Sequence, residues 1–424
     1  MNLYILITHD IHRMGGLQLY TYVKATELEK MGWIVKVLFD CNSASKEFDI
    51  EGLEKYKDGN VLGLDLPAPC CLNKAAVNNV LKHVDSYLGD CSKYEHLYIE
   101  SHDDKGALWG ELIASKIGGK HLFVTLCEEF HSPGQFYDSK LDFFNWKYDR
   151  GELVGTAGLK KLFEGRRKIT DADLKPFWIN ESPVQDVYNS KVEQIKMAEW
   201  NICHIGRFNK PFVPKIIDGI AKFALAHPNK QIQFINVGDT SSRKGLLDSA
   251  FSNLKNINVV DLGNVFPIPK SLFKKVDVVI ACSGSARCAV DQQTLTIVAD
   301  AIRGKSIGLL GYETQESIYW DGKSPLTDFD VALERTLIEK VYETLPFNYK
   351  SEADAKSCCE QNMEVFQRSN QHQEYYESDK ILSGRKNIST IVKWYVKNKL
   401  FHSFPNITMK LLNMRRCLLK RNEK

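Results

Sequence analysis

Short apolar runs alternate with longer amphipathic segments along this chain, and they do so in two separate series. In the first, Leu3 to Thr8 reads as a strand, Leu17 to Met31 as a helix that Gly32 closes, and Ile34 to Phe39 as a second strand. Leu97 to Glu100, the helical Ala107 to Lys116 and the strand His121 to Leu126 continue it. The second series runs through a strand at Trp200 to Ile205, a helix at Pro214 to Ala226, a strand at Ile232 to Val237 and a helix at Gly245 to Ala250. Strands at Ile257 to Leu262 and Val276 to Ala281, a helix near Thr294 to Ile302 and a strand at Ser306 to Leu310 complete it. Such alternation predicts an α/β fold of parallel sheets covered by helices. At 424 residues the chain exceeds one ordinary core, so two α/β units are expected. Their expected extents are 1–190 and 191–370, with residues 132 to 190 irregular. C-terminal helices with a basic tail then occupy 371–424, and 353 to 383 is expected to cross back and brace the first unit.

Composition removes several classes. Hydrophobic residues at 43% and charged residues at 26%, without repeats or acidic tracts, describe a globular chain. No segment approaches the roughly 20 apolar residues that span a bilayer, and the run after Met1-Asn2 is too short for a secretion signal. Eleven cysteines without framework spacing fit reduced thiols, hence a cytoplasmic location. Cys70-Cys71 and Cys358-Cys359 lack the C-x-x-C spacing of a zinc site. Residues 385 to 424 hold eleven Lys or Arg against Glu423 alone, a net +10; since the whole chain is +3, the rest carries −7. That confinement, mixed with Trp394, Tyr395, Leu400 and Phe401, argues against a nucleic-acid binder. It suits either an interfacial helix peripheral on the inner face of an anionic membrane or a helix docked on its own protein with a solvated basic face.

Candidate chemistry lies at strand ends. After the first strand comes His9-Asp10-Ile11-His12-Arg13-Met14-Gly15-Gly16 and then a helix; two glycines let a ligand close to the backbone, and a helix N-terminus offers N–H groups to a phosphate. G-x-G-x-x-G is absent, so a nicotinamide dinucleotide loses its main support. At the matching place in the second series stand Gly206-Arg207 and Lys210, two cations where ligands of open α/β sheets bind. Asp171-Ala172-Asp173 has the spacing of a metal–diphosphate motif, but no apolar strand leads into it and it reads as a solvated turn.

These residues together resemble the GT-B retaining glycosyltransferases of the family-4 type, over most of the chain. Gly15-Gly16 looks like that family's glycine-rich loop against donor phosphate, and Gly206-Arg207 with Lys210 like its G-R…K clamp; Lys215 competes with Lys210 for the lysine. Val237-Gly238-Asp239 resembles its G-D turn, and Leu262-Gly263-Asn264-Val265 the segment against the nucleobase. Val276-Asp277-Val278 then Ser283 resembles A-D-V…P-S. Asp300-Ala301-Ile302-Arg303-Gly304-Lys305 resembles the E-A-M-A-x-G helix and turn. The family's E-x7-E pair is broken. One register leaves Asp300 as ribose contact with Gln292 before it, and the other leaves Asp291 as donor-sugar contact with Ala299 after it. In the first unit, where the family has T-x-H, this chain has Thr125-Leu126-Cys127.

The resemblance implies two Rossmann-like domains with sheets facing across a cleft. It implies transfer of a sugar from a nucleoside diphosphate sugar to a hydroxyl, with retention. A lipid-linked or cell-surface glycan precursor is the expected acceptor, as in polysaccharide biosynthesis. Gly15, Gly16, Arg207 and Lys210 would hold phosphate, Val265 and Asp300 the nucleoside, and Ser283 and Asp291 the sugar. His102, Glu128 and His131 are the acceptor-activating candidates. No metal or other cofactor is expected, since the cations meet the charge of the leaving diphosphate. The broken pair leaves two alternatives: a catalytically silent relative acting as a binding or assembly subunit, and a nucleotide-sugar epimerase or hydrolase.

Overall fold

A computed structural model describes residues 1–12, 14–40, 48–63, 65–126, 140–155, 157–163, 165–170, 184–243, 245–323, 325–349, 355–368, 374–383 and 388–403. In chain order come β1 (Asn2–Thr8), α1 (Gly16–Lys30), β2 (Ile34–Phe39), α2 (Lys74–Leu88), β3 (His96–Ser101), α3 (Asp104–Ile117), β4 (Lys120–Thr125), α4 (Leu141–Asp149), β5 (Leu153–Gly155) and α5 (Ala157–Leu162). Next are β6 (Val184–Gln185), α6 (Ser190–Glu193), β7 (Trp200–Ile205), α7 (Val213–Ala226), β8 (Ile232–Val237), α8 (Leu246–Phe251), β9 (Ile257–Asp261), β10 (Ile268–Pro269) and α9 (Lys270–Phe273). The last are β11 (Val278–Ala281), α10 (Gly284–Asp291), β12 (Leu295–Ala299), β13 (Ser306–Leu309), α11 (Phe329–Leu333), α12 (Ala355–Arg368), α13 (Ser378–Leu382) and α14 (Ile388–Ser403). The chain divides into two compact units, Met1–Glu181 with Glu352–Lys424, and Ser182–Ser351. The sequence expectation had placed those divisions at 190/191 and 370/371.

In the first unit the strands are ordered β2-β1-β3-β4-β5 and all pair in parallel. Leu3, Tyr4, Ile5 and Leu6 of β1 are all fully buried, which is why this strand reads as an unbroken apolar run. Leu3, Ile5 and Ile7 belong to the core that also takes Val77, Val80 and Val84 of α2 and Leu108 and Leu112 of α3. α2 starts where Asn73 accepts the Ala76 N–H at 2.8 Å, a side-chain cap for an otherwise orphan donor. Tyr4, on the alternate side of β1, meets Phe366 of α12 edge-on at 5.7 Å, and Phe366 stacks on Tyr98 at 4.3 Å. The segment expected to cross back therefore does pack on the first sheet.

In the second unit the order is β13-β12-β11-β7-β8-β9, parallel except for antiparallel β12 and β13. Ile216, Ile220 and Phe223 of α7 and Phe329 and Leu333 of α11 cover one face. The helix expected near Thr294 to Ile302 is a correction: Leu295–Ala299 is β12, paired with β11 in the register Val278↔Leu295, and the helix is α10, which ends at Asp291 before that strand begins. Leu295-Thr296-Ile297-Val298 is β-branched at three of four positions, and side chains stiff at χ1 favour a buried strand over a helix.

Buried histidines make the fold acid-sensitive. His121 is held between Ser101 Oγ at 2.8 Å and Glu111 at 3.0 Å, and burial pushes its pKa down to about 4. Burial does the same to His204 of β7, also to about 4. Burial opposes ionisation of Glu111, but Lys147 at 2.6 Å and the His121 hydrogen bond outweigh it and hold its pKa at about 2. Each imidazole is neutral when folded, while the unfolded chain takes up protons below about pH 6.5. Stability is thus lost as pH falls from there toward 4, and Glu111 adds a further loss between its ordinary 4.5 and about 2. The melting temperature is expected to drop steadily from pH 7 to pH 4 in circular dichroism melts. A flat profile over that range contradicts neutral buried imidazoles.

Candidate functional site: the carboxyl edges of the two sheets

In a doubly wound sheet the strand order reverses direction at one place, and the loops beyond the carboxyl ends of the two flanking strands diverge there and leave room for a ligand. In the first unit the reversal lies between β1 and β3; in the second, between β7 and β11. The residues that follow β1 are His9 through Gly16, and those after β3 are His102 and Asp103; Gly206 and Arg207 follow β7, and Cys282 and Ser283 follow β11. The structure therefore brings Arg207, Lys210 and Ser283 to one switch point, and Gly15, Gly16 and His102 to the other.

At the second-unit edge, Lys210 N–H donates to the Arg207 carbonyl at 3.3 Å, so these two cations open and close a single turn. The three-residue gap is what that turn requires. Arg207 is exposed and Lys210 half-buried. Arg243, which sequence reasoning missed, clasps the turn from the next loop: its Nε donates to the Phe208 carbonyl at 2.7 Å and its Nη2 to the Lys210 carbonyl at 3.3 Å. Gly238 is required by close backbone approach, since a Cβ there would stand 2.0 Å from the Gly206 carbonyl oxygen and its φ is +148°. Beneath this edge, His204 Nδ1 lies 3.2 Å from Asn236 Oδ1, and Asn236 donates to Asp261 at 2.9 Å, tying β7, β8 and β9 together. Ser283 sits at φ +60°, an unfavourable conformation for a residue with a Cβ, and its N–H donates to the Ser317 carbonyl at 2.6 Å. Val265, half-buried, follows β9 and packs on the core.

The remaining second-unit residues are placed differently. Asp300 follows β12 on the same carboxyl edge, but it is buried and its carboxylate accepts N–H groups from Ile302 at 3.0 Å, Trp320 at 2.8 Å and Arg303. It shapes the turn into β13. Asp291 closes α10 and leads toward the amino end of β12, so the helix carries it to the edge opposite Arg207. Lys215 lies in the first turn of α7, its Cγ 3.3 Å from where a Gly304 Cβ would be.

In the first unit, α1 begins at Gly15-Gly16 with no side-chain cap and no acidic residue in its first turn. A Cβ on Gly16 would meet no atom within 4 Å, so the protein's own packing does not call for glycine there. Gly16→Ala is accordingly expected to leave the melting temperature nearly unchanged while weakening nucleoside diphosphate binding by roughly 1 kcal/mol, about fivefold, through crowding of a phosphate. Calorimetric titration of the variant checks it, and unchanged affinity removes phosphate from this loop.

His102 is buried, with Nε2 3.1 Å from Glu100 Oε1 and Tyr20 edge-on at 5.1 Å. Glu100 also accepts from Tyr20 at 2.9 Å, Asn362 at 3.2 Å, Tyr4 and Lys24, and its pKa is held far below the carboxylate range: burial opposes this, and Lys24 and His102 outweigh it. The carboxylate anchors the His102 ring through Nε2, so Nδ1 is turned away from Glu100. A second group escaped sequence reasoning. Asp40, at the end of β2, accepts from Lys105 at 2.6 Å and the Leu66 N–H at 3.0 Å, and lies 2.9 Å from His9 Nδ1. Burial disfavours the His9 cation, but Asp40 outweighs it and raises the imidazole pKa, so this pair stabilises most below about pH 6.5 and less as pH rises through the raised value. The signal for it was polar residues directly after strands. Glu128, His131 and Asp171-Ala172-Asp173 lie outside the described residues. Among the described residues no group of three or more His, Cys, Asp or Glu is placed to hold a metal ion.

The two sheets, parallel but for β13 and covered by helices, have the Rossmann-like architecture of the two domains of the GT-B glycosyltransferase fold. Solved structures carry the likeness. A glycosyltransferase from Rickettsia africae ESF-5 superimposes over 100% of this chain and 99% of its own, with a TM-score of 0.51 at 13% identity. Anabaena Alr3699/HepE in complex with UDP and glucose superimposes over 87% of this chain and 97% of its own, with a TM-score of 0.52 at 13% identity. No protein-family model matches the sequence, and no curated protein does.

Proposed function

We propose that this protein is a glycosyltransferase that binds a nucleoside diphosphate sugar at the carboxyl edge of its second unit and transfers the sugar to a hydroxyl acceptor. The observation that carries the reading is the Arg207–Lys210 turn, clasped by Arg243 at the strand reversal beside the strained Ser283. In the reaction the bond from the anomeric carbon to the diphosphate oxygen breaks and a bond to the acceptor oxygen forms. The acceptor hydroxyl loses its proton and the nucleoside diphosphate departs with an added negative charge. Arg207, as a two-pronged donor, and Lys210, as a point charge, stabilise that charge. Val265 supplies an apolar wall for the nucleoside, and in the first unit, taken by itself, Gly15-Gly16 offers N–H groups to a phosphate. His102, with its ring anchored by Glu100, is the described group suited to receive a proton from a hydroxyl. Binding of UDP-glucose and of UDP with glucose by the similar Anabaena protein favours a UDP-sugar donor. Retention at the anomeric carbon and a lipid-linked or cell-surface glycan precursor as acceptor belong to the same reading.

The test is nucleotide release from a panel of UDP-, GDP- and ADP-sugars, with and without a membrane extract as acceptor source. Release that needs both one donor and the extract is the expected result; no release with any pair overturns the transferase reading. Because fixed cations meet the leaving-group charge, activity is expected to be unchanged by EDTA. Loss on chelation, restored by a divalent ion, contradicts that role for the cations.

A further inference from the structure

We propose that the outer face of α14 docks on an anionic lipid surface. At helical spacing Ile391, Trp394 and Asn398 lie on one side of this helix. That side is occupied: Trp394 is only 8% exposed and joins the first-unit core, Ile391 packs against it, and Asn398 is buried. Lys397, beside them, pairs with Asp65. The other side carries Ile388 at 76% exposure, Val392 at 53%, Tyr395 at 56%, Val396 at 49% and Leu400 at 45%. These positions, spaced by four, three, one and four, form a continuous apolar stripe along the helix. A soluble surface tolerates scattered exposed apolar residues, but five aligned on one helix mark a surface that meets something.

Charge identifies the occupant. Lys393 and Lys399 are exposed along the stripe, and from Lys380 to the C-terminus the sequence has one acid, Glu423, against a rising number of bases that ends with Arg415, Arg416, Lys420, Arg421 and Lys424. Lysine stems lie along apolar surface while their ammonium groups reach lipid phosphate, so lysines beside a stripe suit a headgroup boundary. A second copy of this chain fits poorly, because a two-fold pairing through the same face gathers Lys393 and Lys399 of both copies into one interface while α14 holds no acid to offset them. The basic helix on an anionic bilayer has no such conflict. No described helix is long and apolar enough to cross a membrane, so the attachment is to the surface.

The test is co-sedimentation of the full chain, without nucleotide, with vesicles of phosphatidylcholine alone and of phosphatidylcholine rich in phosphatidylglycerol. The chain is expected to bind the anionic vesicles, to be released by salt, and to bind the neutral ones far less. Val392→Asp with Val396→Asp should weaken anionic binding by more than about tenfold. Lys393→Glu and Lys399→Glu should each weaken it by at least about fivefold. All four sites are exposed, so unchanged melting temperatures confirm that the variants fold. Wild-type binding by these variants overturns the assignment of this face, as does absence of binding by the wild-type chain. So does a wild-type dimer that Val392→Asp with Val396→Asp converts to a monomer. None of these readouts depends on a donor nucleotide, so failure here and failure of the transferase reading are separate results.

Discussion

Arg207→Ala is expected to weaken binding of the best-bound nucleoside diphosphate among UDP, GDP and ADP by roughly 10- to 100-fold, with the melting temperature of the free protein unchanged. The size follows from losing hydrogen bonds to a charged group, worth about 1.5–3 kcal/mol. The stability is expected to hold because Arg207 is exposed and Arg243 clasps the backbone turn through the Phe208 and Lys210 carbonyl oxygens. Arg243→Ala separates the two roles. It leaves both cations in place but frees their turn, so it should weaken binding less than Arg207→Ala. Calorimetric titration measures both, and equal affinity of wild type and Arg207→Ala would remove Arg207 from the diphosphate.

Lys24→Met carries the largest expected loss of stability, about 3–5 kcal/mol in denaturant unfolding, because it leaves the Glu100 carboxylate buried without its cation. Lys24 and Glu100 are both fully buried. The pair also joins three parts of the first unit: Lys24 from α1, Glu100 from β3 and Asn362 from α12. Adding Glu100→Gln to Lys24→Met removes the charge and should restore part of the stability, since removing both members of a buried pair costs less than removing one. A double variant as unstable as the single one would show that the lost packing of the lysine stem, and not the stranded charge, dominates. His102 should lose its fixed orientation in the Glu100 variant, so reduced turnover with unchanged nucleotide affinity is the accompanying result.

Periodicity made the central parallel strands legible because they are buried on both faces, unlike the edge strand β9, and a continuous apolar run such as Leu3 to Ile7 has few other uses. Gly206-Arg207 was legible as a strand end because it directly follows the apolar run of β7, and Gly15-Gly16 as the place where α1 begins. α2 lies outside the two alternating series read above, although Asn73 caps it and Val77, Val80, Leu81, Val84 and Leu88 keep helical spacing. β12 is hidden from a sequence reading because the residues around Asp300 resemble a helix and turn, while its own β-branched run favours a strand. The groups set by contacts across the fold, Arg243 on the 207–210 turn and Asp40 between His9 and Lys105, could not be read from spacing, since their partners lie between 31 and 65 residues away. The same holds for Glu100, whose five donors come from β1, α1, α12 and its own strand end.

The central claim is that a nucleoside diphosphate binds the folded chain, and the most direct measurement is thermal melting of the full-length protein with saturating UDP, GDP or ADP. A ligand at about one hundred times its dissociation constant stabilises the folded state by about 2.7 kcal/mol, enough to raise the melting temperature measurably. At least one of the three nucleotides is expected to do so in the wild-type protein, and to do so far less in Arg207→Ala. If none of them moves the melting temperature of the wild-type chain, the phosphate-facing edge of the second unit has been misassigned.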